Sequence, residues 1–234
     1  MIAPQSPLAF CPVLDEMVRT GSTIGQSGKT LDVSATSTVN NLLTIRNLHL
    51  ALGAGKTLET GFLRGGSCLV FTQTHKDLGM PPGNQHVAID PYQRSPFNDS
   101  CGLLAIERAG LSSYLDFREE TAYRVLPLLL RDAGSFSLVY IDGSHCFEDV
   151  FVDMFYSAQL LETGGVVLFD DSQDPHVRKM IRYIRRNLRH CLEEFDLRPY
   201  HPGKSIRYRV ALALGRVQLT GFKKVGALHR PYGH

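Results

Sequence analysis

Five acidic side chains stand where a folded chain could use them for chemistry. Each ends or follows a short apolar run of the kind that forms buried strands, namely TL, HVAI, FSLVYI and VVLF. The acids are Glu59, Asp90, Asp142, Asp170 and Asp171. In a sheet of parallel strands covered by helices, ligands bind beyond the carboxyl ends of the strands. We therefore expect these carboxylates to meet at one sheet edge, where they could hold hydroxyl groups, ammonium groups or a cation.

Stretches of helical periodicity separate the apolar runs and predict the framework that positions these acids. Apolar side chains recur near helical spacing in residues 38–52, 67–76, 97–109, 122–131, 147–161 and 175–188. Strands that alternate with helices predict a doubly wound α/β fold with a mostly parallel sheet. Gly164 and Gly165 are expected to end the helix that begins at Phe147. Residues 205–214 and 216–225 are predicted to pair as an antiparallel hairpin, because the turn between them leaves no room for a crossover.

The composition excludes several classes of protein. The chain has 234 residues, 43% of them hydrophobic, and a formal net charge of +2. It is therefore neither disordered nor strongly basic, as a protein driven by nucleic-acid binding would be. No apolar run approaches the roughly 20 residues of a membrane span, and no secretory signal is evident. Five cysteines without a CxxC pair favour free thiols in a reducing compartment, so we expect a cytoplasmic location and no membrane association.

The chain divides into a weakly patterned start and a regular remainder. Residues 1–37 are predicted to be an N-terminal extension or lid with one short helix near residues 14–19, and residues 38–234 to form the main domain. The two parts together are too short for two full domains of typical size.

A glycine-rich turn, ETGFLRGGS, follows the first strand of the main domain. Gly61, Gly65 and Gly66 would let the backbone come close to a ligand. The turn matches neither the dinucleotide motif GxGxxG nor the phosphate loop GxxxxGK[ST], which disfavours an oxidoreductase that uses a nucleotide cofactor. An acid inside the turn argues for a cationic ligand, and an acid after the second strand suits ribose hydroxyls. Both features favour a nucleoside with a cationic tail, and S-adenosylmethionine fits that description.

Four segments carry a resemblance to a known family: LETGFLRGGS, HVAIDPYQ, the pair IDGSHCFEDVFVD and LLETGGVVLFDD, and the terminal hairpin. Over residues 48–214 the sequence resembles the class I S-adenosylmethionine-dependent methyltransferases. Within them it is similar to the group of metal-dependent small-molecule O-methyltransferases and cephalosporin-hydroxylase-like proteins. The resemblance implies a seven-stranded sheet with an antiparallel final strand, and S-adenosylmethionine as the cofactor.

The resemblance also implies roles for individual residues. Glu59 and Gly61 would lie against the methionine part of the cofactor, and Asp90 would bind the ribose hydroxyls. Glu120 and Thr121 would line the adenine. The whole set of expected cofactor-binding residues is Glu59, Gly61, Phe62, Gly65, Asp90, Glu120, Thr121 and Asp142. The alternative for Glu59 and Asp90 is a purely structural role, in which each acid only caps the turn that follows its strand.

Asp142, Asp170 and Asp171 form the predicted metal site. Adjacent parallel strands lie about 4.8 Å apart, which brings the three carboxylates within reach of one hard cation such as Mg²⁺. The matching acids of the metal-dependent O-methyltransferases hold such an ion, which lowers the pKa of the attacking hydroxyl. The alternative is a metal-independent relative in which Asp170 and Asp171 only cap a loop.

His145 follows Asp142 by three residues and is the predicted general base, with Asp142 as the second catalytic residue. A histidine has a pKa suited to accepting a proton near neutral pH. The alternative is a histidine that only forms a hydrogen bond with a loop or with the substrate. Cys146 is expected to have no role.

The expected reaction is therefore methyl transfer from S-adenosylmethionine to a hydroxyl of a small-molecule acceptor. A catalytically silent binding protein with this fold is the alternative outside the enzymes. The basic side chains of residues 176–190 are expected to be a solvated helix face, with nucleic-acid binding as the less favoured possibility. The sequence does not determine the oligomeric state, and a homodimer is compatible with it.

Overall fold

Seven strands build one sheet in the computed structural model, which describes residues 6–34, 36–203 and 217–228. The sheet order is β5-β4-β3-β6-β7-β9-β8, and the first five strands run parallel. The strands are β3 (Thr57–Thr60), β4 (His86–Ile89), β5 (Leu115–Arg118), β6 (Phe136–Ile141), β7 (Leu161–Phe169), β8 (Leu192–Phe195) and β9 (Thr220–Lys224). This mixed, doubly wound sheet confirms the predicted fold class.

Helices cover both faces of the sheet, as the alternating pattern predicts. They are α1 (Pro12–Thr20), α2 (Val39–Leu52), α3 (Gly66–Asp77), α4 (Cys101–Arg108), α5 (Ala122–Arg131), α6 (Phe147–Leu160) and α7 (Pro175–Asn187). Side chains of β6 alternate between the faces: Leu138 and Tyr140 pack in the core under α2 and α3, and Val139 and Ile141 pack under α5 to α7. The alternation follows from the two-residue period of a strand.

The antiparallel strands at the sheet edge differ in part from the prediction. The predicted strand 216–225 is present as β9, which runs antiparallel between β7 and β8. Among the described residues its outer partner is Leu192–Phe195, a segment that sequence reasoning assigned to no element. This strand is short and contains two glutamates, so it lacks the apolar alternation that marks a strand. The predicted strand 205–214 lies outside the described residues.

The glycine pair after α6 has a different role from the one predicted. The helix ends at Leu160, and Gly164 and Gly165 lie inside β7 instead of at the helix end. The pairing of β6 with β7 shifts register here, because Phe136 pairs with Leu161 and Leu138 pairs with Val166. Extra residues on one strand form a bulge, and glycine at a φ of 93° suits that backbone.

The N-terminal segment packs on the same core as the main domain. The short predicted helix is present as α1, and it is followed by a two-stranded hairpin of β1 (Ser22–Ile24) and β2 (Thr30–Asp32). Leu14 and Met17 of α1 are buried in the core cluster that contains α2 and α3. No helix of the described residues is both long and apolar enough to cross a membrane.

The register of the parallel strands brings their carboxyl ends to one level. Thr60 pairs with both Ile89 and Ile141, and Ile141 pairs with Phe169. The residues that follow these positions are therefore neighbours at one edge of the sheet. That edge is where the acids were expected to meet.

Candidate cofactor and metal site

The glycine turn after β3 passes very close to the end of β6. Gly61 has a φ of 89°, and a Cβ at this position would lie 2.1 Å from the carbonyl oxygen of Asp142. Gly65 precedes α3 with a φ of 78°, and a Cβ there would lie 3.2 Å from the Cα of Gly102 in α4. Glycine is needed at Gly61 because both the left-handed backbone and the close approach exclude a side chain.

Arg64 interrupts this turn with a bulky side chain, but the side chain points away from the ligand edge. It is 5% exposed and donates hydrogen bonds to the backbone oxygens of Asp32 and Phe97 and to Oδ1 of Asn98. The arginine therefore joins the N-terminal hairpin to the loop after β4. Its size does not block the turn.

Asp90 caps the turn and also faces open space. Its Oδ2 accepts hydrogen bonds of 3.0 Å from the amides of Phe62 and Leu63, and its Oδ1 accepts one of 2.7 Å from the amide of Tyr92. The same carboxylate lines two adjoining cavities. The capping role expected as the alternative is therefore present, and the same carboxylate remains on the walls of both cavities.

Glu59 lies beneath the cavity wall and does not line the cavity itself. Its side chain is fully buried, and Oε1 lies 3.2 Å from Nε2 of His86 on β4. Burial raises the pKa of Glu59 to about 8, although the Ser67 hydroxyl and the Cys68 thiol oppose the shift. Ser67 lines the larger of the two cavities, so Glu59 reaches that cavity only through its neighbour.

Thr121 and Glu120 lie near the smaller cavity, which has a volume of about 560 Å³. Thr121 lines it together with Asp90, Tyr92 and Gly143. Glu120 accepts a hydrogen bond of 2.8 Å from the Thr121 amide, and this bond lowers its pKa. Thr121 therefore lines this cavity, while Glu120 contacts the turn beside it.

Asp170 is buried, Asp142 is half-buried, and both carboxylates contact Tyr140. The Tyr140 hydroxyl lies within hydrogen-bond distance of Oδ2 of both carboxylates, at 3.1 Å in the case of Asp142, and can donate its single proton to either one. Asp170 also accepts hydrogen bonds of 3.0 Å from the Ser37 hydroxyl and from the Asn41 amide group. Burial raises the pKa of both carboxyls, and the charge of Asp170 raises that of Asp142 further. A bound cation would relieve this cost.

Asp171 and His145 meet at the rim of the same edge. Nε2 of His145 lies 3.2 Å from Oδ2 of Asp171, and its Nδ1 lies 3.8 Å from Oδ2 of Asp174. Asp142, His145 and Asp171 each offer a donor atom within 4.8 Å of the others. This donor set fits a divalent cation. The structure thus joins two of the three predicted metal ligands with His145, whereas Asp170 turns towards Tyr140 and Asn41.

One cavity of about 810 Å³ connects these groups. Phe62, Ser67 and Asp90 line one end, and Asp142, His145 and Asp171 line the other. Ser34, Thr36 and Ser37 of the N-terminal segment complete the wall, together with Thr38 at the start of α2. Three carboxylates line this cavity, and among the described lining residues there is no lysine or arginine. Its walls therefore favour ligands that bring positive charge.

Known proteins resemble this chain in both sequence and fold. Residues 58–172 match the family model described as a methyltransferase domain. Caffeoyl-CoA O-methyltransferase 1 of Eucalyptus globulus is 28% identical over 148 residues, which cover 57% of this chain and 55% of that protein. The Zea mays caffeoyl-CoA O-methyltransferase 1 is 31% identical over 149 residues, which cover 57% of this chain and 53% of that protein. The chain thus spans about half the length of these curated relatives.

The matched region, residues 58–172, is a methyltransferase domain, and it is similar to S-adenosylmethionine-dependent methyltransferases of class I. The fold of the chain agrees with an O-methyltransferase from Bacillus cereus that was solved in complex with SAH, with a TM-score of 0.63. That match covers 97% of this chain and 94% of the other at 15% identity, so it bears on the fold alone.

Several polar residues of this methyltransferase site were missed by sequence reasoning. Tyr140 stands two residues before Asp142 on the same strand face, so the spacing contained a signal for it. Ser37 and Asn41 reach Asp170 from more than a hundred residues away in the chain. Gln218, which lies 47 residues after Asp171 in the chain, donates a hydrogen bond of 3.2 Å to Oδ1 of Asp171. Contacts of this range leave no pattern in a single sequence.

The basic residues of α7 lie on a solvated face, as expected. Val177, Met180, Ile181 and Ile184 are buried, while the arginines between them are exposed. Arg185 forms an ion pair with Glu194 of β8. The helix thus contributes its apolar stripe to the core.

Proposed function

We propose that this methyltransferase transfers the methyl group of S-adenosylmethionine to a hydroxyl of a small molecule, assisted by a divalent cation such as Mg²⁺. The observation that carries the proposal is the acidic cavity. It joins the glycine turn and Asp90, which suit a nucleoside, to Asp142, Asp171 and His145, which suit a cation and a proton acceptor. O-Methyltransferases are among its relatives, which supports a hydroxyl acceptor.

The residues of the site would have different roles according to where they lie in the cavity. The turn from Gly61 to Gly65 and the carboxylate of Asp90 would hold the methionine and ribose parts of the cofactor, and Thr121 the adenine part. Asp142 and Asp171 would hold the cation, which supplies charge that lowers the pKa of the acceptor hydroxyl. His145 would accept the hydroxyl proton at Nε2 or Nδ1. Catalysis then rests mainly on placing the hydroxyl oxygen in line with the methyl group.

The N-terminal residues 1–37 would act as a cover for this cavity. Thr36 and Ser37 line it, and the Ser37 hydroxyl reaches Asp170. A cover made of this segment would exclude water and contribute to acceptor recognition. The cytoplasmic location and the possible homodimer stay predictions from the sequence.

A metal-independent reaction is the second candidate, and one observation favours it. The carboxylate of Asp170 already accepts hydrogen bonds from Tyr140, Ser37, Asn41 and the Asp171 amide. A carboxylate satisfied in this way needs no cation. If Asp170 must be a ligand, its side chain has to leave these partners.

Calorimetric titrations separate the candidates. The protein is titrated first with S-adenosylhomocysteine and then, in the loaded state, with MnCl₂. We expect micromolar binding of one S-adenosylhomocysteine and one Mn²⁺ per chain, and we expect Asp171→Asn to lose the Mn²⁺ step alone. Asp132→Asn is the matched control, because Asp132 is exposed, lines neither cavity and pairs with Arg131.

The outcomes are distinct. Cofactor binding without a Mn²⁺ step would replace the proposal by the metal-independent reaction. No binding of S-adenosylhomocysteine at millimolar concentration would indicate a catalytically silent protein. Methyl transfer to 3,4-dihydroxybenzoate, measured with and without EDTA, then tests the hydroxyl acceptor directly.

A further inference from the structure

A line of buried polar side chains runs from Glu59 away from the cavity. Oε1 of Glu59 lies 3.2 Å from Nε2 of His86, and Nδ1 of His86 lies 2.8 Å from Oγ1 of Thr57. The same Oγ1 lies 2.9 Å from Nε2 of His75, whose Nδ1 lies 2.9 Å from the sulfur of Met80. We call these five residues the buried relay. The first four are fully buried, and Met80 is partly exposed.

The sulfur of Met80 determines the direction of the hydrogen bonds in the buried relay. A thioether accepts hydrogen bonds but cannot donate them, so Nδ1 of His75 carries the proton. Burial lowers the pKa of His75 and of His86 to about 3, so both rings are neutral. Nε2 of His75 is therefore an acceptor for the Thr57 hydroxyl, and Thr57 in turn accepts from Nδ1 of His86. Nε2 of His86 is left with a bare lone pair that points at Glu59.

This lone pair and the Glu59 carboxyl form an unsatisfied pair unless a proton lies between them. Nε2 of His86 and both carboxyl oxygens of Glu59 are buried without a well-aligned hydrogen bond, although two of these atoms are 3.2 Å apart. A lone pair that faces a carboxylate oxygen is repulsive, and buried polar atoms without partners are rare. A protonated Glu59 resolves both problems by donating to His86.

The surroundings of the pair favour that proton. Ser67 and Cys68 of α3 oppose the rise in the pKa of Glu59, while the carboxylates of Asp90 and Asp142 act against its ionisation. At the other end, His49 of α2 stacks edge-on against His75 at 4.4 Å. His49 is itself buried with both ring nitrogens unpaired, so it adds no charge.

We propose that His86 is a positioning residue of the cofactor site: it accepts a hydrogen bond from the protonated, buried Glu59 in the empty protein, and it takes that proton and donates back to the Glu59 carboxylate when a cationic ligand occupies the cavity. The inference rests on the proposed function, in which S-adenosylmethionine brings a sulfonium and an ammonium group. Glu59 acts on that ligand through Ser67, which lines the cavity.

Each step of the transfer is a proton shift along an existing contact. The proton of Glu59 moves to Nε2 of His86, the proton on Nδ1 of His86 moves to Thr57, and the hydroxyl proton of Thr57 moves to Nε2 of His75. His75 then releases its Nδ1 proton to water beside the partly exposed Met80. The outcome is a Glu59 carboxylate that accepts from Nε2 of His86, two neutral histidines protonated at Nε2, and one proton in solution; Nδ1 of His75 gives up its hydrogen bond to Met80 and accepts from water. No bond between heavy atoms changes.

This device couples cofactor affinity to pH with a defined sign. The ligand favours ionised Glu59, so its affinity rises with pH until the pKa of Glu59 near 8 is passed, by no more than about tenfold per pH unit. S-adenosylhomocysteine lacks the sulfonium charge and should depend less on pH. The ligand's own ammonium titration is common to all variants, so comparing variants isolates Glu59.

The test is titration calorimetry with S-adenosylmethionine at pH 7 in two buffers of different ionisation enthalpy, which counts the protons released. We expect about one proton per chain from the wild type and none from Glu59→Gln or His86→Leu, with affinity roughly tenfold lower in His86→Leu. His49→Leu is the matched control: it removes a neighbouring buried histidine outside the buried relay and should release the proton as the wild type does.

Several results would overturn the inference. Binding without proton release by the wild type would do so, as would full release by His86→Leu. The donors Glu59, Cys68 and His86 lie within 4.8 Å of one another, so one tightly bound metal per chain in the purified protein, lost in Cys68→Ser, would replace the proton by a cation.

Two further measurements cover a variant that fails to fold and a failure of the proposed function. The ¹⁵N shifts of the wild-type histidines should show His86 and His75 as neutral rings protonated at Nδ1, and the opposite tautomers would refute the deduced direction. Without any cofactor binding the proposed function falls. The infrared band of a protonated carboxyl, present in the wild type and absent in Glu59→Gln, still decides the state of Glu59.

Discussion

The close crossing of Gly61 and Asp142 makes a sharp prediction for Gly61→Ala. The new methyl group would lie 2.1 Å from the carbonyl oxygen of Asp142, 2.6 Å from its carbonyl carbon and 2.9 Å from the Cα of Gly143. All three atoms belong to the backbone, so no side chain can rotate away. The ends of β3 and β6 must separate, and Asp142 must move with them.

The cost has two parts. A left-handed backbone costs an L-residue about 1–2 kcal/mol, and forcing a methyl group into a packed site costs about 1–3 kcal/mol. We therefore expect Gly61→Ala to lower the free energy of unfolding by about 2–5 kcal/mol. Gly79→Ala is the matched control, because Gly79 has a φ of 70° but a Cβ at this position would have no atom of the described residues within 4 Å. It should lose only about 1–2 kcal/mol.

Urea unfolding followed by far-ultraviolet circular dichroism measures both losses, since the chain has no tryptophan for fluorescence. The difference between the two variants isolates the collision from the backbone conformation. Equal losses would refute the close crossing. A calorimetric titration with S-adenosylhomocysteine completes the test, because a displaced turn should also weaken the cofactor by tenfold or more.

Three further substitutions test single residues. Asp90→Ala should weaken S-adenosylhomocysteine binding at least tenfold, about 1.4 kcal/mol, and an unchanged calorimetric affinity would remove Asp90 from the site. His145→Gln should lower kcat by about 10²–10⁴-fold with cofactor affinity intact, whereas a retained rate would assign the proton to another group. Burial raises the pKa of Asp153 to about 7, so keeping this carboxylate ionised in the folded protein lowers the free energy of unfolding increasingly as the pH rises from about 4 to 7. Asp153→Asn should therefore stabilise the protein at pH 8 by at most about 4 kcal/mol and should not stabilise it at pH 3. Urea unfolding at both pH values measures this difference.

The central strands and helices could be predicted because their signals are local. The helix from Pro175 is marked by the Asp174 cap and a clean apolar stripe, and the capping bond to the His176 amide is present at 2.8 Å. The strand Leu192–Phe195 could not be predicted, because a glutamate-rich edge strand lacks alternation and gains its place only from pairing with β9. The bulge at Gly164 was misread since a glycine pair signals a helix end as well as a bulge.

The acids of the site show the same division between local and long-range information. Their position at the strand ends follows from the alternating pattern and from register. Their orientation does not, because it depends on partners brought together by the fold. Asp170 turns to Asn41 and Ser37, and Glu59 turns to His86, and no spacing in the sequence predicts these pairs.

Charge explains why the five acids divide as they do. Glu59 turns towards the ring of His86, and Asp170 turns towards hydroxyl and amide donors, which leaves Asp90, Asp142 and Asp171 on the cavity wall. S-adenosylmethionine carries one net positive charge and a divalent cation carries two, so three positive charges would face the three carboxylates of the wall and the Glu59 carboxylate that forms on binding. Methyl transfer removes the sulfonium charge and would leave one further carboxylate uncompensated in a partly buried site. That imbalance would weaken the hold on the product relative to the cofactor, which is the direction that turnover requires.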